Sequence, residues 1–435
     1  MSKRQAVKAI SLLWLGSLLG AGFAFLTQVI LARQLGPSEF GVFASALATV
    51  TILAPLAGFG VAQYWLKAFG EEGWGAMRWL PPSFRFIGVS TVIVITVLMV
   101  WGLYGPHEQS AGRVIIVLSS YVLGQVSVEL VSSKLQLEEH YVNLAAWQLT
   151  SQLARFLLVV ILSFGLTGWM SGLNVAVAYA VVSGVIALLG CIHLVRMARG
   201  NFRLKGHSQP VSALDAGGGG GELPRVMMLV SQAWPFGLSM MFYFIYYQSS
   251  IVLIKYLVGP KEAGIYNVAC AVMAAVYLFP GVLYQKFLIP KIHRWANHDR
   301  ERFYQVYRQG NKVMLALGTG AMLSIWLLSS WAILLLFGKQ YSEAIVLLNT
   351  LAVSAPIIFT AASVGATLVT GEYMRKKVKY QGGIAVLNVF LNLILIPVLG
   401  SLGAAISSVI SNACLLVVYY ISTQRLVFKS AQSLS

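Results

Sequence analysis

Apolar runs of about 20 residues, each long enough to cross a bilayer core, recur from one end of this chain to the other. Nothing else in the sequence restricts the fold as strongly. Twelve runs are legible, at roughly 9–32, 41–66, 85–104, 112–136, 142–165, 171–195, 227–256, 263–290, 311–337, 344–369, 379–399 and 401–422. No alternation of apolar and polar residues competes with them, so they read as helices. The expected fold class is an all-α polytopic membrane protein of twelve transmembrane helices.

Composition excludes the main alternatives. Hydrophobic residues make up 58% of the chain and charged residues 10%, whereas an ordinary soluble domain is about 25% charged. Disorder and a disulfide scaffold are excluded on the same ground. Cys191, Cys270 and Cys414 each lie inside an apolar run and none belongs to a CxxC, so they read as small hydrophobes and not as a metal site. The net charge of +17 would indicate nucleic acid in a soluble protein. Here it reads instead as loop charge set by membrane insertion.

The basic residues also orient the chain. Of the 31, 25 fall at the N-terminus, in the loops after the second, fourth, sixth, eighth and tenth runs, and at the C-terminus. Five lie on the opposite side (Arg33, Arg113, Lys255, Lys261 and Lys339), and Arg155 lies within a run. Excess Lys and Arg mark the cytoplasmic side, so both termini are expected there. The run from Ala9 to Leu31 is too long for a signal-peptide core of about 7–15 residues, so it is expected to be retained as the first span.

An internal repeat divides the chain in two. Gly36, Pro37, Glu39, Gly41, Ala46 and Ala48 align, 223 residues on, with Gly259, Pro260, Glu262, Gly264, Ala269 and Ala271. Six spans separate the copies, so both halves share one orientation, as in a parallel repeat around a central cavity. The expected layout is a six-helix half at 1–195, a basic, Gly-rich cytoplasmic linker at 196–226 holding the run Gly217–Gly221, and a second half at 227–435. No G-x-x-x-x-G-K-[ST] occurs, so nothing points to a nucleotide site. Pro55 and Gly60 interrupt the second span, and Pro280 and Gly281 interrupt the eighth at nearly the matching place. Interruptions at corresponding places point to a substrate cavity or hinge.

These residues carry a resemblance. The segment Ala32-Arg33-Gln34-Leu35-Gly36-Pro37-Ser38-Glu39-Phe40-Gly41-Val42-Phe43 resembles the N-terminal signature of bacterial polysaccharide flippases. These are the O-antigen and exopolysaccharide repeat-unit translocases of the multidrug/oligosaccharidyl-lipid/polysaccharide exporter superfamily. Pro55-Leu56-Ala57-Gly58-Phe59-Gly60 followed by Gln63-Tyr64 also fits, as do Asn388, Asn392-Leu393, Ile396-Pro397, Gly400 and Gly403-Ala404-Ala405. Ser407-Ser408 departs from the Ala-Thr frequent at that point. The resemblance implies a flippase that moves an undecaprenyl-pyrophosphate-linked oligosaccharide from the cytoplasmic to the periplasmic leaflet of the bacterial inner membrane. It also implies alternating access driven by a proton or sodium gradient, and possible polymerase and chain-length partners. No cofactor is implied, and the two halves make a monomer the expectation.

Such a substrate needs cationic or amide donors for its pyrophosphate and amides, hydroxyls and aromatic faces for its sugars. Arg155 lies mid-span, with Gln148 and Gln152 on the same helix face. It reads either as a cavity group or as the partner of Glu129 in a structural pair. Glu129 shares a stripe with Tyr121, Gln125, Ser132 and Gln136, and is the candidate for ion coupling, against the reading of a residue reaching the interface. Arg33 and Lys255 sit at matching places at the outer ends of the first and seventh spans. They contact substrate or snorkel to the headgroups. Lys286 could receive pyrophosphate from the inner leaflet, and Gln63 enters through the resemblance. Tyr243, Tyr246, Tyr247 and Ser250 form an aromatic face suited to sugars or to packing. Asn388 and Asn392 read as interhelical hydrogen-bond formers. Glu138-Glu139-His140 lacks further ligand groups, so no metal site is expected.

Two other functions make different demands on the sequence. A multidrug or small-molecule antiporter of the same superfamily would favour an acidic cavity. A membrane enzyme acting on the same lipid would need a large external loop with catalytic groups, and every external loop here is short, so the chain is not expected to be an enzyme. The charge asymmetry makes a direct prediction. A C-terminal green fluorescent protein fusion should fluoresce and a C-terminal alkaline phosphatase fusion should be inactive. The reverse pair of results would refute cytoplasmic termini.

Overall fold

The computed structural model describes residues 3–165, 169–205, 224–282, 300–368 and 374–429. Among these the chain is almost entirely helical, with no strand. Ten helical stretches are long and apolar enough to cross a membrane. The first of them, Leu13–Tyr104, is 92 residues long. At 1.5 Å per residue a straight helix of that length would measure about 140 Å, several times the thickness of a bilayer core, so it must fold back on itself.

It does so where the backbone leaves the right-handed region. Helix α1 (Lys3–Gly58) breaks at Gly36, with φ 71° and ψ 170°. A second break at Phe59 (φ 38°) and Gly60 (φ 76°) separates α1 from α2 (Val61–Glu72). Gly36 and Gly60 take positive φ without a Cβ penalty; Phe59 does so under strain. A 3-10 turn at Gly73–Trp79 then leads into α3 (Leu80–Tyr104).

The elements that follow are α4 (Gln109–Leu118), α5 (Tyr121–Leu137), α6 (Tyr141–Val160) and α7 (Gly172–Ala198). After them come α8 (Val226–Leu257), α9 (Pro260–Val282), α10 (Arg300–Leu336), α11 (Ala344–Ala352), α12 (Ser354–Thr367), α13 (Met374–Leu399) and α14 (Ser401–Ser422).

Two spans expected to be continuous are divided. The fourth is cut between α4 and α5 at Ser119–Ser120, and the tenth between α11 and α12 at Val353. Serine hydroxyls take up carbonyls beside both: Ser119 donates to Ile116 O at 2.6 Å, Ser120 to Val117 O at 2.8 Å and Ser354 to Leu351 O at 2.5 Å. The matching interruption inferred for the second and eighth spans takes a different form. α1 breaks four residues after Pro55, whereas α9 continues as helix through Pro280 and Gly281.

The chain forms two compact units. One comprises Met1–Thr27 and Ala46–Phe244, the other Gln28–Ser45 and Ile245–Ser435. These units divide α1 and α8, so they differ from the halves drawn at the linker. In the first unit α5 packs along α7, with α3 and α7 against α4 and α2 against α5. Small residues permit this closeness: a Cβ at Gly124 would meet Ser183, and one at Gly190 would meet Ser127. The start of the linker is also docked. Phe202 is buried against Phe69 and Trp74, Leu204 is buried, and Lys205 N–H bonds to Leu137 O at 3.2 Å. The Gly217–Gly221 run lies outside the described residues.

In the second unit α10 packs on α12, α12 and α13 on α14, and α9 on α11. The duplicated Gly-Pro segments pack on each other within this unit, and reciprocally. A Cβ at Gly41 would strike the carbonyl of Pro260, and one at Gly264 would strike the carbonyl of Pro37. The motif read from sequence as helix punctuation is therefore also a packing seam. Gly41→Val and Gly264→Val should each lower the thermal midpoint of the purified protein, at a cost of about 1–3 kcal/mol for overpacking. Gly320→Ala, at a position with open space, should leave it unchanged. Equal midpoints for all three variants would remove the seam from the account.

Candidate functional site

The first unit contains a polar cavity of about 180 Å3, lined by Ala62, Gln63 and Leu66 of α2, by Val128, Glu129, Ser132, Ser133 and Gln136 of α5, and by Gln148 of α6. Helical spacing produces it. The glycine and serine positions of α5 lie against α7, which leaves the stripe of Glu129, Ser132 and Gln136 on another face, toward α2 and α6. Ser133 donates to Ala62 O at 2.5 Å and Gln148 Nε2 donates to Ser132 Oγ at 3.5 Å. These contacts tie the three helices around the cavity.

The helix break belongs to the same place. Glu129 Oε2 lies 3.8 Å from where a Cβ on Gly58 would stand, and Ala62 and Gln63, in the first turn of α2, line the cavity beside it. No side chain caps that turn, so its free N–H groups favour a carboxylate nearby. Glu129 Oε1 accepts from Gln125 Nε2 at 3.2 Å. Gln63 Nε2 donates to Met240 Sδ at 3.4 Å, whereas its Oε1 is buried with no hydrogen-bond partner. The lining residues include one carboxylate, three glutamines and no cation.

The basic groups singled out from sequence lie elsewhere. Arg155 is 5% exposed and sits between two rings, 4.6 Å from that of Tyr121 and 5.2 Å from that of Tyr179. Its Nη1 reaches the Tyr121 hydroxyl at 3.5 Å and its Nε is buried without a hydrogen-bond partner. Among the described residues no salt bridge joins it to Glu129. Arg33 Nη2 donates to Leu335 O in the last turn of α10 at 2.5 Å, where the helix dipole favours a cation. Lys255 Nζ lies 3.8 Å over the ring of Tyr256. Gln152 packs beside Gly20 of α1. Lys286 lies outside the described residues.

The second unit has its own cavity of about 80 Å3, whose lining includes Tyr246, Tyr247, Ser250, Tyr266, Tyr277 and Asn412. Its hydroxyls are engaged: Tyr246 donates to Asn412 Oδ1 at 2.5 Å, Tyr266 pairs with Ser408 at 3.2 Å and Tyr277 pairs with Ser354, at the α11–α12 break, at 2.5 Å. Tyr243 does not line it; its ring packs on Phe244 and is half exposed. Asn392 Nδ2 donates to Ser250 Oγ and to Asn388 Oδ1, each at 3.0 Å, and Asn388 Nδ2 to Ser411 Oγ at 3.2 Å. This is the interhelical role expected of the asparagine pair. Among the described residues no cluster of His, Cys, Asp and Glu is arranged to hold a metal.

Comparison with known proteins places this arrangement. Residues 6–295 match the family described as "Polysaccharide biosynthesis protein". The chain belongs to that family. It is 28% identical over 354 residues to the "Succinoglycan biosynthesis transport protein ExoT" of Rhizobium meliloti (strain 1021), a match covering 78% of this chain and 63% of that one. The chain thus spans less than two thirds of the length of that relative. Among solved structures it is similar to "Lipid II flippase MurJ, inward closed conformation", with a TM-score of 0.74 at 10% identity over 95% of this chain and 87% of the other. It is also similar to an inward-facing multidrug resistance MATE family transporter of the MOP superfamily, with a TM-score of 0.69 at 12% identity over 99% and 100%. At these identities the likeness is one of fold.

Membership of the family did not require sequence to locate every residue of the cavity. Ser132, Gln136 and Glu129 are legible in the sequence as a stripe, and Gln63 and Gln148 as amides on other spans. Ala62, Ser133 and the tyrosine cavity had no isolated signal, because their placement depends on which helices meet.

The aromatic sandwich makes Arg155 testable apart from transport. Tyr179→Leu should lower the thermal midpoint, at a cost of about 2 kcal/mol for a desolvated cation–π contact, and Arg155→Lys should lower it too because the planar stacking is lost. An unchanged midpoint in both variants would show that the rings do not hold the guanidinium.

Proposed function

We propose that this chain is a flippase that moves an undecaprenyl-pyrophosphate-linked polysaccharide repeat unit from the cytoplasmic to the periplasmic leaflet of a bacterial inner membrane. The observation that carries this reading is a carboxylate-bearing, amide-lined cavity among helical stretches long and apolar enough to cross a membrane, in a chain of the polysaccharide biosynthesis family. An apolar protein in lipid gains nothing from such a cavity unless it handles a polar group. The resemblance in fold to a lipid II flippase supports the same substrate chemistry.

In this reading the breaks at Gly36 and Gly60 divide the first long stretch into three spans, giving twelve in two halves that alternate access. Both termini are cytoplasmic, the protein acts as a monomer beside polymerase and chain-length partners, and it performs no catalysis. Glu129 takes the coupling ion, a proton or sodium, because it is the acidic group at the break between α1 and α2. Of the basic candidates, Lys286 keeps a pyrophosphate role, since Arg33, Lys255 and Arg155 are engaged with protein groups.

A second reading has its own support. A carboxylate without a cation in the cavity also suits an organic cation, as a multidrug antiporter would require. Deleting the gene in its host and measuring lipid-linked oligosaccharides by mass spectrometry separates the two. Flipping predicts that complete, unpolymerised repeat units build up on the cytoplasmic side, and that Glu129→Ala complements the deletion poorly. An unchanged lipid pool with altered drug susceptibility would contradict it and favour the antiporter.

A further inference from the structure

The proposed function leaves open which part of the substrate enters the cavity of the first unit. We infer that it takes one sugar ring of the glycan, recognised through hydroxyl donors, and that the pyrophosphate is held elsewhere. This rests on the flippase reading.

Charge gives the first argument. A pyrophosphate brought beside the ionised Glu129 would meet a like charge, and among the described residues no Lys, Arg or His lines the cavity to offset it. Acceptor capacity gives the second. Glu129 is an acceptor on both oxygens when ionised, and only Oε1 is engaged, by Gln125. The carboxylate is the charged group of the lining, and its complement is a ligand that offers hydroxyl donors. A sugar ring presents several hydroxyl donors around its rim, so neighbouring hydroxyls can reach a carboxylate and an amide oxygen together. The Gln148 and Gln136 amides and the Ser132 hydroxyl can both donate and accept, which suits hydroxyls whose own oxygens also need partners.

Size gives the third argument. A water needs about 10–15 Å3 of this kind of space, so about 180 Å3 holds on the order of a dozen non-hydrogen atoms, the number in one hexose. The cavity is open on one side, so further sugars of the repeat unit would extend beyond it.

The full-length protein in nanodiscs can be tested by saturation-transfer NMR with methyl glycosides of glucose, galactose, mannose and N-acetylglucosamine. Tetraethylammonium and inorganic pyrophosphate serve as the rival probes. At least one glycoside should give a signal that weakens about tenfold or more in Gln63→Ala and in Glu129→Ala. Pyrophosphate should give no signal that depends on Glu129. Gln63→Glu and Glu129→Gln, close in shape to the native residues, guard against a folding defect, and each variant is checked for a single symmetric peak in size exclusion. Failure of every glycoside, or a Glu129-dependent signal from tetraethylammonium or pyrophosphate alone, would overturn the inference. Complementation of the deletion strain by the wild-type chain reads the flippase proposal separately. If lipid-linked repeat units are exported normally while no glycoside binds here, the sugar site is wrong and the flippase reading stands.

Discussion

A polar group in hydrocarbon must find its partner within the protein, and this single constraint orders the rest of the structure. It makes the chain helical wherever it meets lipid, because only a helix satisfies its backbone from within. It also makes each interruption conspicuous, since broken helices free carbonyls and N–H groups that need new partners. At the break between α1 and α2, Ser90 donates to Ala57 O, in the last turn of α1, at 2.5 Å. At the breaks in the fourth and tenth spans, serines on the same strand of chain do this work. The breaks are thus built features at which serine hydroxyls take up carbonyls, and a polar cavity lies beside the one whose first-turn N–H groups are uncapped.

The same constraint explains what the cations do. An arginine at membrane depth is expensive, and two tyrosine rings offset the cost for Arg155 without any carboxylate. Among the described residues Glu129 has no cation partner, and that changes what its cavity can hold. Had the two been paired, the site would be neutral and largely filled. Apart, Arg155 is a strut between α5, α6 and α7, while Glu129 faces a space whose other walls are amides and hydroxyls.

Much of this was legible in the sequence, for reasons that can be named. Helix type and approximate extent follow from run length and hydropathy, so the spans were readable. The stripe through Glu129 was readable because residues at spacings of three and four share a face. Gly36 and Gly259 announced their turns by preceding proline, and both do take positive φ. The breaks at Ser119–Ser120 and Val353 were not readable, because two serines or a valine inside an apolar run are compatible with a continuous helix. The reciprocal packing of Gly41 and Gly264 was beyond sequence for a different reason. A repeat shows that two segments are alike, not that they touch. The docking of Phe202 on Phe69 and Trp74 was likewise hidden inside a basic, Gly-rich segment that composition alone marks as linker.

The central claim is translocation of a lipid-linked glycan, and transport in a reconstituted membrane tests it most directly. The purified full-length chain would be placed in liposomes loaded on the inner leaflet with undecaprenyl-pyrophosphate-linked oligosaccharide, and the glycan reaching the outer leaflet followed with an impermeant lectin. The account predicts that glycan appears outside under an imposed proton or sodium gradient, and that Glu129→Ala slows its appearance strongly. Equal rates in protein-free liposomes and in liposomes holding the chain would contradict it.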